Sequence, residues 1–268
     1  MKALITGASS GIGRDMARVL SKRGVELILA ARRTDRLEEL RQELNTPVKI
    51  IGTDLSRAEN CRALYEQIKD ENIDILINNA GFGDAGKFAE TSLEKEMTLI
   101  DTNIRATHIL TKLFVRDFRK KGRGYLLNVA SSSGFLPGPN MAVYYASKSY
   151  VLRLTEALYE ELRREHSGVS VSILCPGPVN TEFNAVADVR FHMRGLNSYR
   201  VAEYAIDRMF RRKLIIIPGI QMKAAKFFER FVSEKMLCRI SYHIQERAAD
   251  NRDRHAEHGR QVREASGN

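Results

Sequence analysis

Tyr144 and Lys148 lie one helical turn apart, so on a helix their side chains project the same way. Upstream, the apolar run Tyr125, Leu126, Leu127 and Val129 reads as a strand that delivers Ser131 to the same neighbourhood. Gly134, Pro137, Gly138 and Pro139 then turn the chain back towards the helix. A hydroxyl, a phenol and an ammonium can thus converge on one small polar group. Alone, a tyrosine with its ordinary pKa of ~10 is a poor proton donor at neutral pH. An ammonium ~4 to 5 Å away, at an effective dielectric of about 20, favours the phenolate by roughly 3 to 4 kcal/mol. That shift would bring the phenol near the range where it protonates an alkoxide or deprotonates an alcohol.

Spacing alone decides little, because the chain holds a second Tyr-x-x-x-Lys match, Tyr65 and Lys69. Its surroundings, residues 56–70, are charged and periodic, read as an amphipathic surface helix, and have no serine-bearing strand before them.

The elements that must position such a site alternate short β-rich runs with helical stretches, the pattern of a parallel α/β sheet. Candidate strands cover 2–5, 26–30, 48–51, 74–77, 125–129, 169–174 and 214–217. Together they predict one doubly wound, seven-stranded α/β domain over 1–220, followed by a C-terminal extension over 221–268. The first strand runs into Thr6-Gly7-Ala8-Ser9-Ser10-Gly11-Ile12-Gly13, where a helix opens at once. Glycines there allow a tight turn and let backbone amides approach a pyrophosphate at the positive end of that helix, so the loop predicts a dinucleotide site.

The second strand ends at Ala31-Arg32-Arg33, near where an NAD site places a ribose-binding carboxylate. Two arginines stand there instead; they suit a 2′-phosphate and predict NADP(H), or they are solvated starts of the next helix. After the third strand, Asp54-Leu55 stands at the ligand-binding edge, and Asp54 either accepts from an adenine amino group or caps the helix beginning near Ser56. The fourth strand ends at Asn78-Asn79-Ala80-Gly81, small and amide-bearing residues that let backbone approach a ribose, although a bare turn would use the same types. A helical pattern over 93–121 carries Asn103 in its apolar middle, where asparagine usually has a bonding reason.

These motifs in this order resemble the short-chain dehydrogenase/reductase superfamily, in its compact single-domain Rossmann branch. The resemblance rests on Thr6-Gly7-x-x-x-Gly11-x-Gly13, Asn78-Asn79-Ala80-Gly81, Asn103, Ser131, Tyr144-x-x-x-Lys148 and Pro176-Gly177-Pro178-Val179-x-Thr181, and covers residues 1–220. Ser131 precedes Tyr144 by 13 residues, as that family's active serine does. The resemblance implies Tyr144 as general acid/base, Lys148 lowering its pKa and bonding the nicotinamide ribose, and Ser131 polarising the substrate oxygen. It further implies that Asn103 positions a relay water, that the Gly7 loop and Ile12 meet the pyrophosphate, that Asn79 meets the ribose region and that Thr181 meets the carboxamide. Ser132 and Ser133 are then spare hydroxyls. Two departures stand out: Ser10 occupies a position where many NADP-preferring relatives are basic, and Ala130-Ser131-Ser132-Ser133 replaces the commoner pair of serines followed by an apolar residue.

Composition bounds the rest. Three widely spaced cysteines, Cys61, Cys175 and Cys238, fit a reducing compartment, and no uncharged apolar run reaches membrane-spanning length, so a cytoplasmic protein is expected. A net charge of +10 would attract a phosphorylated cofactor, an anionic membrane surface or nucleic acid, but it is spread along the chain as on solvated helix faces. With no nucleic-acid motif, no such partner is expected. Residues 182–197, with Phe183, Phe191, His192 and Met193, read as a substrate lid or as lid packing. From 221 to 247, Met222, Ala225, Phe228, Val232, Met236, Ile240 and Ile244 recur at helical spacing beside lysines and arginines. That basic amphipathic helix would pack on its own domain or a sister subunit, roof an apolar tunnel, or lie on a membrane. His255 and His258 in the polar tail lack the companions a metal site needs. The sequence thus predicts an NADP(H)-dependent carbonyl/alcohol oxidoreductase with an apolar or acyl-type substrate, the alternative being an NADP-binding sensor or a membrane-surface interaction protein that uses the basic C-terminal helix, and the resemblance implies a homodimer or homotetramer.

Overall fold

Ala3, Leu4 and Ile5, like Leu27, Ile28 and Leu29, form uninterrupted apolar runs, and strands of that kind need cover on both faces. The computed structural model describes residues 1–187 and 195–245. Its strands are β1 (Lys2–Thr6), β2 (Glu26–Ala31), β3 (Val48–Gly52), β4 (Ile75–Asn78), β5 (Gly124–Val129), β6 (Val169–Leu174), β7 (Val179–Asn180), β8 (Leu196–Asn197) and β9 (Ile215–Ile216). Seven of them form one parallel sheet in the order β3-β2-β1-β4-β5-β6-β9, while β7 and β8 pair separately. All seven expected strands are present in the predicted doubly wound architecture.

The helices are α1 (Gly11–Lys22), α2 (Thr34–Gln42), α3 (Ala58–Ile68), α4 (Leu93–Ile100), α5 (Thr107–Lys121), α6 (Ala142–Arg164), α7 (Phe183–Val186), α8 (Ser198–Phe210) and α9 (Ile220–Phe228), with a further helix, α10, over 234–245. Strand side chains alternate between the two faces of the sheet. Ala3, Ile5, Leu27, Leu29, Ile75, Ile77 and Leu127 pack with residues of α1, α2 and α8. Their neighbours Leu4, Ile28, Leu76 and Leu126 pack with residues of α3, α5 and α6. Strand order reverses at β1 and β4, so the loops leaving the carboxyl ends of those two strands diverge and open a crevice.

Two expected helices are more divided than their periodicity suggested. Residues 93–121 are helical throughout, but a π-helical stretch, Asp101–Ala106, joins α4 to α5 and contains Asn103. Residues 221–247 do not form one helix. After α9 comes a 3-10 turn, Glu229–Phe231, then extended backbone at Val232 (φ −113°, ψ 135°), and α10 restarts where the Leu237 N–H donates to the Ser233 carbonyl. Among the described residues no helix is long and apolar enough to cross a membrane. Phe191, His192, Met193, His255 and His258 lie outside the described residues.

Candidate active site

Asn128, buried in β5, starts the positioning of the site. Asn78 Nδ2 donates to Asn128 Oδ1 (2.9 Å) and to Thr111 Oγ1 (3.0 Å), and Asn128 Nδ2 donates to Thr155 Oγ1 (2.9 Å). These side chains are fully buried or nearly so, and they tie β4 and β5 to α5 and α6. Loss of one member leaves its buried partners unsatisfied, at about 1–3 kcal/mol each. The register of α6, which carries Tyr144 and Lys148, is therefore held by polar bonds as well as by packing.

β5 ends beside α6 and releases Ser131 at the N-cap of a 3-10 turn, Ser132–Phe135. Ser131 Oγ accepts from the Ser133 backbone N–H (3.1 Å) and donates to Ser133 Oγ (3.1 Å). Ser133 is thus no spare hydroxyl: it orients Ser131. Tyr144 is buried against Phe183, with ring centroids 5.3 Å apart, and hydrogen bonds through its hydroxyl to Ser131. Lys148 is also buried; its ammonium lies 5.8 Å from the Tyr144 ring centre and donates to the Val129 carbonyl at 3.0 Å.

The electrostatics differ from the sequence expectation. Burial pushes the Tyr144 phenol above its ordinary range, the Ser131 hydrogen bond lowers it and neighbouring Tyr145 raises it. Burial also brings the Lys148 ammonium down to about 8. Desolvation is therefore the largest influence on both groups in the protein alone. The other match is unlike this: Tyr65 donates to Asp117 (2.8 Å), and Lys69 pairs with Glu66 at the surface.

Asn103 has the bonding reason its mid-helix position called for, and it is a fixed one. Its Oδ1 accepts from the Phe82 N–H (3.0 Å), and its Nδ2 donates to the Phe82 carbonyl (2.9 Å) and to Ser147 Oγ (3.0 Å). Ser147 in turn donates to the Tyr144 carbonyl (2.7 Å), so Asn103 braces the first turn of α6 against the loop after β4.

A cavity of about 580 Å³ runs along the crevice past these groups. Of the residues expected to act in catalysis or cofactor binding, all but Gly13 and Asn103 line it: Gly7, Ser9, Ser10, Gly11, Ile12, Arg32, Arg33, Asp54, Leu55, Asn79, Ala80, Gly81, Ser131, Tyr144, Lys148, Pro176, Gly177, Val179 and Thr181. Gly7 has φ +66°, and a Cβ there would come within 2.7 Å of Ala80 Cα. Gly13 is required for packing, since a Cβ would meet the Asn79 amide and, at 2.7 Å, the Gly7 carbonyl. Gly13→Val should cost about 1–3 kcal/mol by overpacking, read as a lower urea midpoint at unchanged slope; an unaltered midpoint would show that this junction yields. Asp54 Oδ1 accepts from the Ser56 N–H (3.1 Å) in the turn before α3, so it both lines the cavity and holds that turn.

Several contributors went unnoticed in the sequence. Glu182 binds both Arg33 (2.9 Å) and Arg36 across the mouth of the crevice. Arg33 also reaches Ser10 Oγ (3.1 Å), whereas Arg32 makes no hydrogen bond or ion pair with a described residue. From the C-terminal segment, expected among other readings to roof an apolar tunnel, Met222 lines the cavity together with the unforeseen Lys226, Ser241 and Gln245, and Gln245 donates to the Tyr145 hydroxyl. No local motif marks these residues, because each meets its partner from a distant part of the chain.

The family description "short chain dehydrogenase" matches residues 1–189, which include the glycine loop, Asn103, Ser131, Tyr144 and Lys148. The chain belongs to this family of oxidoreductases. Its relatives include an uncharacterized oxidoreductase of Staphylococcus epidermidis, 36% identical over 188 residues, or 69% of this chain and 81% of the relative. Among solved structures, a short-chain dehydrogenase from Sphingobium yanoikuyae in complex with NADPH is 31% identical, with a TM-score of 0.78 over 85% of this chain and 93% of that one. A short-chain dehydrogenase/reductase from Burkholderia phymatum in complex with NAD is 26% identical, with a TM-score of 0.77 over 85% and 92%. Both nicotinamide cofactors thus occur among relatives of this fold.

Proposed function

We propose that this short-chain dehydrogenase/reductase interconverts a carbonyl and an alcohol with NADP(H), and that Tyr144 transfers the proton. The observation that carries the reading is the meeting of Ser131, Tyr144 and Lys148 on the same cavity as the glycine loop. The residues present fit a dinucleotide. Ser10 at the N-cap of α1 makes no side-chain cap bond, the first turn holds no acid, and Ser10, Gly11 and Ile12 line the cavity, which suits the N-terminus of this helix to a pyrophosphate. A nicotinamide cofactor held by the Gly7 loop, Asn79, Lys148 and Thr181 supplies the hydride chemistry.

This chain's own residues do the rest. Ser131 Oγ, aimed by Ser133, holds the substrate oxygen, and the Tyr144 hydroxyl beside it donates a proton to the alkoxide or removes one from the alcohol. Lys148 supplies the positive charge that favours the phenolate while the proton is away. Asn103 keeps α6 and the loop after β4 in place for that transfer. Phe135, Leu136, Phe183, Val186 and Met222 wall the substrate end, which favours an apolar ketone or aldehyde.

Cofactor choice rests on Arg32. Arg33 is already engaged by Glu182 and the loop serines, whereas the Arg32 guanidinium is available for a 2′-phosphate. A charge-assisted pair contributes about 1.5–3 kcal/mol, so Arg32→Ala should weaken NADPH roughly ten- to hundredfold and leave NADH nearly unchanged in fluorescence titrations. Equal losses for both nucleotides would locate phosphate recognition elsewhere.

A further inference from the structure

The C-terminal segment exposes most of its large apolar side chains. In α10, the residues turned inward are Leu237, Ser241 and Gln245, four apart, and the last two are buried and line the cavity. The exposed residues at the same spacing are Met236, Ile240 and Ile244. A helix packed on its own domain in water does the opposite. In α9, Lys226 lines the cavity beside the apolar Met222 and Ala225, while Ile220, Phe227 and Phe228, with Phe231 just beyond, are exposed. Eight of the fifteen exposed large apolar side chains among the described residues fall between 220 and 244, so this is a patch rather than ordinary scatter. Its aromatic centre is ordered by ring contacts of Phe227 with Phe228 (5.4 Å) and Phe231 (5.6 Å).

We propose that residues 220–244 are a docking face for an anionic lipid bilayer. Charge selects this occupant over a second copy of the chain. Arg230 lies over the Phe227 ring (5.2 Å), and Lys235 and Arg239 make no ion pair with a described residue. The acid at the end of α9, Glu229, is half-buried and paired with Lys226, which leaves Glu234 as the exposed carboxylate of the face. A two-fold self-contact would appose two copies of the same net-positive face, whereas an anionic headgroup layer pairs the cations while the rings enter the acyl boundary. Ile244 both lines the cavity and is exposed, so the cavity opens beside the docking face. An apolar carbonyl dissolved in the bilayer would then enter without crossing water. That consequence rests on the oxidoreductase reading; the docking itself does not.

The test is co-sedimentation of the full chain with sucrose-loaded vesicles of phosphatidylcholine alone or mixed with phosphatidylserine, with the mass in solution read by light scattering. The anionic vesicles should bind at least about tenfold more tightly, with loss at high salt. Lys235→Ser and Arg239→Ser should each weaken binding about fivefold, and Phe228→Ser/Phe231→Ser should abolish it with the melting temperature and cofactor affinity retained. Equal binding to both vesicles, or none to either, overturns the proposal. So does a dimer that the double phenylalanine variant dissociates while vesicles stay unbound, because a second copy would then cover this face. Vesicle binding without carbonyl turnover would count against the oxidoreductase reading alone.

Discussion

Tyr144→Phe should lower turnover about 10³-fold, within the ~10²–10⁴ that a positioned acid or base contributes, while NADPH binds as it does to the parent. The variant removes one hydroxyl from a buried ring whose packing against Phe183 and Tyr145 is otherwise kept. The Ser131 bond is lost, but Ser131 keeps both bonds to Ser133, so the stability cost is about 0.5–1.5 kcal/mol. Steady-state kinetics should therefore show a fall in kcat with an unchanged nucleotide titration. Parent-like turnover would remove Tyr144 from the proton step, and weakened NADPH binding would mean that its hydroxyl mainly supports the cofactor.

Lys148→Met should also suppress turnover by about 10²–10⁴-fold, yet leave the protein at least as stable as the parent at neutral pH. Burial brings the ammonium down to about 8 in the folded chain, against ~10.4 unfolded. Between those values the unfolded chain holds more protons, so the parent's stability rises with pH through that window; below it, the full cost of burying the charge is present. The cost is on the order of 3 kcal/mol, and methionine removes it. Against that gain, the Val129 carbonyl loses its partner, at about 1–3 kcal/mol. The variant should thus match or exceed the parent in denaturant melts at pH ~7 and fall below it above pH ~10. A variant less stable than the parent at both pH values by the same amount would show that the ammonium is not strained by burial.

The sheet was readable in the sequence because both faces of its central strands are covered, leaving unbroken apolar runs in Ala3–Ile5 and Leu27–Leu29. The glycine loop and the Tyr144–Lys148 turn were readable because local geometry dictates them. What periodicity could not reveal was where helices change character. Asn103 in the π turn bonds to Phe82 and Ser147, and on either side of the break at Val232 both α9 and α10 supply residues to the cavity wall. The Tyr144–Lys148 spacing was readable, but the burial that governs both groups involves partners elsewhere in the chain, among them Phe183 and Val129. Likewise, Arg32 and Arg33 are adjacent and alike in sequence, and what distinguishes them is Glu182, 149 positions beyond Arg33, together with the loop serines Ser9 and Ser10.

The most direct test of the oxidoreductase assignment follows a label. NADPH deuterated at the transferring carbon is incubated with the purified protein and a panel of apolar ketones and aldehydes, and the alcohols are examined by mass spectrometry. Deuterium is expected on the carbinol carbon of at least one product, formed by the parent and lost in Tyr144→Phe. No label transfer to any carbonyl, or equal transfer by the Tyr144→Phe variant, would contradict it.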